Sequence, residues 1–167
     1  MRFITLLICT CIAGPVLSAE PNPDSHFFRD AVAGNLSEVN GGELALSKSS
    51  NGGVKKFAAM VVKDHTAALS TLHSLATGKD IELPTTATAE QTAKLAALRA
   101  LTPEMFDRFY IEWQIGAHKD AIELFKQETT SGDDVEARQF AVGALPTLQA
   151  HLDYLYSIVL DPPSSAK

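Results

Sequence analysis

The sequence predicts an all-α protein: a four-helix bundle with an extra short helix in the connection between the second and third long helices. Apolar residues recur every three to four positions over four segments of more than twenty residues each. Glycine, proline and Asn-Gly signals fall between these segments, at the spacing of helix ends. No segment of the sequence reads convincingly as a β-strand.

Residues 1–19 have the organisation of a secretory signal peptide. Arg2 supplies the positive charge, residues 3–13 are apolar, and Leu17-Ser18-Ala19 is a small-residue cleavage site. The apolar region is shorter than the roughly 20 residues that span a bilayer, and no later stretch is long and apolar enough to do so. We therefore expect an exported protein without a transmembrane segment, periplasmic in the first instance, with outer-membrane association as the alternative.

The remaining chain has the size of one domain. Removing residues 1–19 from the 167 leaves roughly 148 residues. We expect residues 20–161 to form a single helical-bundle domain and residues 162–167 to form a C-terminal tail. Both cysteines, Cys9 and Cys11, lie in the signal peptide, so a disulfide scaffold and a thiolate metal site are both excluded from the mature protein.

The charge balance excludes some classes of partner. The formal net charge is −6 and becomes −7 when Arg2 is removed with the signal peptide. Nucleic acid and anionic membrane surfaces require clustered Lys and Arg, which this acidic chain does not have. The sequence identifies no protein partner and leaves homo-oligomerisation open.

The first two long helices are predicted over about residues 26–49 and 54–77. Asn51-Gly52-Gly53 is expected to end the first helix, and Gly78 to end the second. The buried face of the first helix is expected to consist of Phe28, Ala31, Val32, Asn35, Leu36, Val39, Ala45 and Leu46. The buried face of the second is expected to consist of Val54, Phe57, Ala58, Val61, His65, Ala68, Leu69, Leu72, Leu75 and Ala76.

The short helix and the last two long helices have clear start signals. Thr88 with Gln91 predicts a capping box for a short helix over residues 89–101. Thr102-Pro103-Glu104 combines an N-cap hydroxyl, a proline at the first helical position and a carboxylate in the first turn, and predicts a helix to about residue 129. Ser131-Gly132-Asp133-Asp134 breaks the chain before a last helix over about residues 135–159.

Each long helix carries one side chain with the chemistry of a metal ligand on or beside its buried face. Glu38 lies on a seam of small residues that leaves room around its carboxylate. His65 is central on the buried face of the second helix, and His118 and His151 lie beside the buried faces of the third and fourth. Imidazole is a common ligand for transition metals, and Glu adds charge. Glu38, His65, His118 and His151 therefore form a candidate site for one Zn, Mn, Fe or Cu ion.

A structural role for the histidines competes with this interpretation. A single histidine on an apolar helix face is more often a hydrogen-bonded core residue than a ligand, because a buried imidazole needs only one or two partners. His26 and His73 are interpreted as terminal or boundary residues. The sequence contains no Gly-rich phosphate loop, nucleophile elbow, HExxH motif or cysteine nucleophile, so no catalytic residue is predicted. Enzymatic activity would require a bound metal or cofactor.

Several of these residues resemble the pattern of an exported bacterial family catalogued as domain of unknown function 4142, whose members are often labelled outer-membrane or exported proteins. The resemblance covers about residues 27–159, and its most specific signals are Asp64-His65 and Leu145-Pro146 with His151. It also includes Phe28-x-x-Ala31, Asn35-x-x-Glu38, Phe57-Ala58-x-Met60-Val61, Phe106-Asp107-x-x-Tyr110, His118, Phe140-Ala141 and Leu152. The family is regarded as ferritin-like, which implies a ferritin-like four-helix bundle without implying a reaction.

The ligand pattern departs from that of ferritin-like di-iron proteins. Those proteins use Glu-x-x-His pairs, whereas Val62, Ile115 and Leu148 stand three residues before the three candidate histidines. A carboxylate-bridged di-iron centre is therefore disfavoured. Asp64 points about 100° away from His65 around the helix, so it is better suited to a helix cap, a surface ion pair or a hydrogen bond to a metal-binding side chain than to the same ion. Asp107 and Tyr110 are further candidates for that outer role.

Two hypotheses of function follow from the sequence. In the first, an exported helical bundle binds a transition-metal ion or small ligand through its inward polar residues, in envelope stress or metal handling. In the second, the protein is a non-catalytic structural or interaction protein of the bacterial envelope without a metal site. The first predicts that ligand nitrogens converge, and the second predicts scattered histidines that are each satisfied by a nearby group.

Overall fold

The computed structural model describes residues 24–160, which form five helices and no strand. The helices are α1 (Ser25–Lys48), α2 (Gly52–Ala76), α3 (Ala89–Arg99), α4 (Pro103–Ser131) and α5 (Val135–Leu160). The four long helices form two antiparallel hairpins, α1 with α2 and α4 with α5, and the short α3 packs on α1 and α4. The predicted all-α bundle, with its extra short helix, is confirmed. The predicted signal peptide and the predicted C-terminal tail both lie outside the described residues.

Two helix starts have the capping geometry that the sequence predicts. The Thr88 hydroxyl accepts a hydrogen bond from the Gln91 backbone N–H, and the Gln91 side chain accepts one from the Thr88 N–H, at 3.2 and 2.8 Å. The Thr102 hydroxyl accepts from the Met105 N–H, with Pro103 at the start of α4. These bonds satisfy backbone donors that the first turn of a helix leaves without partners.

The segment around Asn51 has a different role from the predicted one. It was expected to end the first helix, but α1 already ends at Lys48 and Asn51 is the N-cap of α2. Its side-chain oxygen accepts hydrogen bonds from the backbone N–H groups of Gly53 and Val54, at 2.8 and 3.2 Å. Asn is among the best N-cap residues because this oxygen satisfies the free donors of the first turn. The connection between α1 and α2 is therefore only three residues long.

The two hairpins are also tied together at one end of the bundle. Asp24, just before α1, accepts hydrogen bonds from the backbone N–H groups of Asp133 and Asp134, at 2.9 and 2.7 Å. Asp134 in turn accepts from the Ala137 N–H in the first turn of α5 and pairs with Lys79. This network fixes the start of α1 against the start of α5.

The buried side chains form two apolar clusters with a polar layer between them. One cluster lies around Phe28, Leu72 and Phe125, and the other lies around Phe57, Phe106 and Leu155. In each long helix, the positions between the two clusters hold buried polar residues. These residues are Asn35, Ser37, Glu38, His65, Gln114, His118 and His151. Since unpaired polar groups are costly to bury, the hydrogen-bond partners within this layer decide whether it has a role beyond packing.

Candidate metal centre

Three histidines from three different helices meet in this polar layer. His65 comes from α2, His118 from α4 and His151 from α5, and their exposed fractions are 6%, 1% and 3%. One ring nitrogen from each lies within 4.8 Å of the other two. The ring centroids are 5.3 to 5.7 Å apart. The three histidines that the sequence places on separate helix faces therefore converge.

The hydrogen bonds of Asn35 fix the protonation of His65. The Asn35 amide nitrogen donates to the backbone carbonyl of Ala31 at 2.6 Å, which turns its side-chain oxygen towards His65. That oxygen lies 2.8 Å from His65 Nδ1 and can only accept, so Nδ1 carries the hydrogen. His65 Nε2 therefore keeps its lone pair, and it is buried without a hydrogen-bond partner among the described residues.

The same reasoning assigns the protonated nitrogen of the other two histidine rings. His118 Nδ1 lies 2.9 Å from the backbone carbonyl of Gln114, and His151 Nε2 lies 3.1 Å from a carboxylate oxygen of Asp64. Both oxygens are acceptors, so both of these ring nitrogens carry hydrogens. The remaining nitrogens, His118 Nε2 and His151 Nδ1, face each other at 3.3 Å. In neutral rings both of them carry lone pairs.

Burial keeps the three imidazoles neutral. Burial, together with the neighbouring His118 and His151, lowers the pKa of His65 to about 3. Burial also lowers the pKa of His118 to about 4, although the Gln114 carbonyl acts in the opposite direction. The pKa of His151 is lowered by burial too, with the hydrogen bond to Asp64 acting against the shift. Near pH 7 the site therefore presents three lone pairs and no proton between them.

This arrangement has the chemistry of a three-histidine metal centre. Metal-bound histidines usually donate their other N–H to a carboxylate, a carbonyl or a water, which fixes the ring orientation. Here the three outer acceptors are a carboxylate, a backbone carbonyl and a side-chain amide oxygen. Two nitrogens bound to one tetrahedral ion at 2.0–2.1 Å lie about 3.3 to 3.4 Å apart, close to the His118–His151 distance. The donor set therefore fits a metal ion.

Glu38, the fourth predicted ligand, lies outside this group of converging atoms. Its carboxyl group is buried in the polar layer, and burial raises its pKa to about 8. The Gln114 side chain acts in the opposite direction and lowers that pKa. The helical spacing places Glu38 on an inward face, but it does not determine which inward groups it meets.

The predicted outer residues have different surroundings. Asp64, about one-third exposed, bonds His151 on α5 rather than its sequence neighbour His65. Asp107 is directed to the start of α2, where its carboxyl interacts with the Ser49 side chain and the Asn51 backbone. Tyr110 packs its ring against Phe57 and Phe106. Of the three, Asp64 is the one whose contacts reach the histidine cluster.

The sequence does not predict Asn35 as a partner of the histidines. Asn35 lies one turn before Glu38, and an amide in the middle of an apolar helix face is a signal of a buried hydrogen-bond partner. The partner of His118 is the backbone carbonyl of Gln114, which no side-chain pattern reveals. The contact between Asn35 and His65 also required knowledge of how α1 pairs with α2.

A surface depression leads to the cluster. It has a volume of about 380 Å³ and includes Asp64, His151 and Pro146 in its lining. Met60 and Tyr154 line the same depression. His151 is therefore the ligand candidate closest to this opening, and its carboxylate partner lies at the edge of the solvent.

Comparisons with known proteins agree with this fold. The family described as Domain of unknown function (DUF4142) matches residues 14–158. A solved structure described as CopM in the Cu(I)-bound form has a TM-score of 0.70 and 18% sequence identity, covering 83% of this chain and 96% of that chain. A conserved hypothetical protein, Rv2844 from Mycobacterium tuberculosis, has a TM-score of 0.67 and 15% identity, covering 86% of this chain and 95% of that chain. No curated protein sequence matches the chain. At these identities the two structures establish a shared fold.

Proposed function

The chain belongs to the family described as Domain of unknown function (DUF4142), and we propose that it binds one transition-metal ion through His65, His118 and His151. The observation that carries this proposal is the orientation of the three rings. Each outer nitrogen donates to a fixed oxygen, which leaves three lone pairs directed at one another in a buried space.

A purely structural role explains only half of this arrangement. Each histidine has one hydrogen-bond partner, as a core histidine requires. A structural role does not account for the two inner nitrogens of His118 and His151 at 3.3 Å, both without a proton. Nor does it account for the lone pair of His65 Nε2, since a buried polar atom without a partner costs roughly 1 to 3 kcal/mol. A bound cation removes both difficulties.

The donor set favours copper or zinc among the four candidate metals. Manganese prefers carboxylate, carbonyl and water oxygens, whereas imidazole suits zinc, copper and iron. Iron sites of the ferritin-like kind use carboxylates, and the nearest buried carboxyl group, Glu38, lies outside the cluster. The likeness of the fold to CopM, whose structure holds Cu(I), supports copper. The protein would hold the ion rather than catalyse a reaction.

Export is part of the proposal. The predicted signal peptide would deliver the protein to the periplasm, where it would take part in metal handling. No helix among the described residues has the length and apolarity needed to cross a membrane. Asp64, which lies in the surface depression and bonds His151, would provide the negative charge that first attracts a cation.

The test is the metal content of the protein after folding in its export compartment. Elemental analysis of tag-free mature protein, followed by uptake of Zn, Mn, Fe and Cu, should give close to one copper or zinc ion per chain. The His65→Ala variant should contain and take up none. Protein that stays metal-free in both experiments, while circular dichroism shows it folded, contradicts the proposal.

A further inference from the structure

A large cavity lies between the two hairpins, apart from the surface depression beside His151. Its volume is about 1320 Å³, and all five helices contribute to its lining. Much of the lining is small, including Gly34, Ala68, Ala117 and Gly143. Ligand-binding pockets typically have volumes of about 300 to 1000 Å³, so the space is large enough for an organic molecule.

The walls of the cavity combine apolar surface with a few polar groups. Aromatic rings of Phe109, Trp113 and Phe140 line it together with the small residues. Ser37 and Glu38 are 2% and 7% exposed and also line it. Apolar walls with a few polar groups are typical of sites for small molecules.

Two polar groups of this wall have no partners. Ser37 Oγ and Glu38 Oε2 are buried without a hydrogen bond among the described residues. Outside the lining, the hydroxyl of Tyr110 is also buried without a partner among the described residues, and Tyr110 is close enough to Glu38 for that carboxyl to raise its pKa. The metal proposal uses none of these atoms. Groups of this kind need a partner that the described residues do not supply.

We propose that this cavity binds an uncharged organic molecule with an apolar ring or chain, whose hydroxyl or carbonyl group bonds Glu38 and Ser37. An uncharged molecule fits because no buried Lys or Arg is found in the described part of the chain, and a second buried charge beside Glu38 would be costly. The charged residues of the lining are mainly acidic, which disfavours an anion. These residues are Asp30, Asp64, Glu90, Lys94, Glu112 and Asp120. His65 and Asp64 of the metal proposal also line this cavity, but the contacts proposed for the organic molecule use neither of them.

The first test is the binding of the uncharged fluorescent probe N-phenyl-1-naphthylamine to the mature protein. Gly34→Leu should fill part of the cavity, because a β-carbon at Gly34 meets no atom within 4 Å. Gly143→Leu does the same from α5. We expect each to weaken probe binding by about tenfold or more, the equivalent of about 1.4 kcal/mol. Gly52→Leu is the matched control, since Gly52 also has free space but does not line the cavity.

The second test concerns the polar group of the ligand. In the wild type, 1-naphthol should displace the probe at about three- to tenfold lower concentration than naphthalene, as one hydrogen bond predicts. The tighter binding of 1-naphthol over naphthalene should persist in Glu38→Gln, which keeps a polar group, and disappear in Glu38→Leu.

The proposal would be overturned if folded wild-type protein did not bind the probe, or if the two cavity-filling variants bound it as tightly as the wild type. It would also be overturned if the anionic probe 1-anilinonaphthalene-8-sulfonate bound as tightly as the uncharged probe. A fourth contradicting result is a dimer in sedimentation that excludes the probe. Because His65 and Asp64 also line the cavity, all of these measurements are made on metal-free protein, so the two proposals fail separately.

Discussion

His118 Nε2 and His151 Nδ1 face each other at 3.3 Å, and the outer nitrogen of each ring already donates to a fixed oxygen. Two unprotonated nitrogens at that distance repel each other unless a cation lies between them. The third ring, His65, brings another lone pair to the same space. This arrangement supports the proposed metal site, because a cation would separate the lone pairs and burial disfavours a proton on these rings.

Removing a ring that supplies a lone pair should remove metal binding. We expect His65→Ala and His151→Ala each to weaken Zn binding by more than 100-fold, measured by competition with a chromophoric chelator, since each removes one of three ligands. His73→Ala is the control, because His73 is exposed on the same helix as His65. Equal losses in all three variants would contradict the assignment of the ligands.

Removing the charge of Asp64 should weaken the site without abolishing it. Its carboxylate accepts the hydrogen bond of His151 and holds that ring in the required orientation. Losses of outer partners of this kind typically reduce metal affinity 10- to 100-fold, and we expect Asp64→Asn to fall in that range in the same competition assay. Asp30→Asn makes the same charge change at an exposed position on α1 and should leave the affinity unchanged. An unchanged affinity in Asp64→Asn would mean that His151 is oriented by its packing alone.

Glu38 should make the metal-free protein less stable as the pH rises. Burial raises its pKa to about 8 in the folded state, against an ordinary value of 4.5. Between these values the folded state binds more protons than the unfolded state, so this contribution to stability is lost from about pH 4.5 through about pH 8. In urea unfolding, Glu38→Gln should therefore gain stability relative to the wild type between pH 5 and pH 8.5. Glu43 is exposed, so the difference in stability between Glu43→Gln and the wild type should not change with pH. If the difference between Glu38→Gln and the wild type were also independent of pH, the buried neutral acid would be refuted.

The buried histidines should make the metal-free protein less stable as the pH falls, which is the opposite of the effect of Glu38. The pKa values of His65 and His118 fall to about 3 and 4 on folding, from 6.5. The unfolded state then binds more protons, so the stability of metal-free protein should fall as the pH decreases from about 6.5 towards 4. In the Glu38→Gln variant, the opposing pH dependence of Glu38 is absent. Adding His65→Gln to this variant should reduce the slope of stability against pH, measured by urea unfolding. An unaltered slope would place His65 in a more hydrated environment.

Gly41 should be sensitive to the addition of a single methyl group. A β-carbon at this position would lie 2.7 Å from Trp113 Cζ3, whereas one at Gly34 meets nothing within 4 Å. We expect Gly41→Ala to destabilise the protein by about 1 to 3 kcal/mol. Gly34→Ala should stabilise it by about 0.5 to 1 kcal/mol, because alanine favours the helix. Trp113 is the single tryptophan of the chain, so its fluorescence follows both unfolding curves.

The sequence predicts most of the fold because its helix signals are local. Thr88 with Gln91, and Thr102 with Pro103, mark helix starts by interactions within one turn, and both starts are found at those residues. Asn51 was assigned to the wrong helix because Asn-Gly is compatible with an end and with a start. The hydrogen bonds that the Asn51 side chain accepts from the backbone N–H groups of Gly53 and Val54 show that it starts α2.

The candidate site was only partly predictable, because its contacts depend on how helices pair. The helical period places His65, His118 and His151 on inward faces, but the rotation and axial position of each helix decide whether the rings meet. Glu38 has an equally inward position and lies outside the histidine group. Asp64 was expected to serve an outer role, but its partner proved to be His151, 87 residues away in the sequence.

The most direct test of the metal site is the protonation state of each imidazole nitrogen, measured by long-range ¹H–¹⁵N correlation spectra of the histidines. In metal-free mature protein at pH 7 we expect neutral rings, with the hydrogen on Nδ1 of His65 and His118 and on Nε2 of His151. Addition of one equivalent of Zn should shift the ¹⁵N signals of the opposite three nitrogens and leave His73 unchanged. A protonated, cationic ring in the cluster, or three signals that Zn does not move, would contradict the proposed three-histidine site.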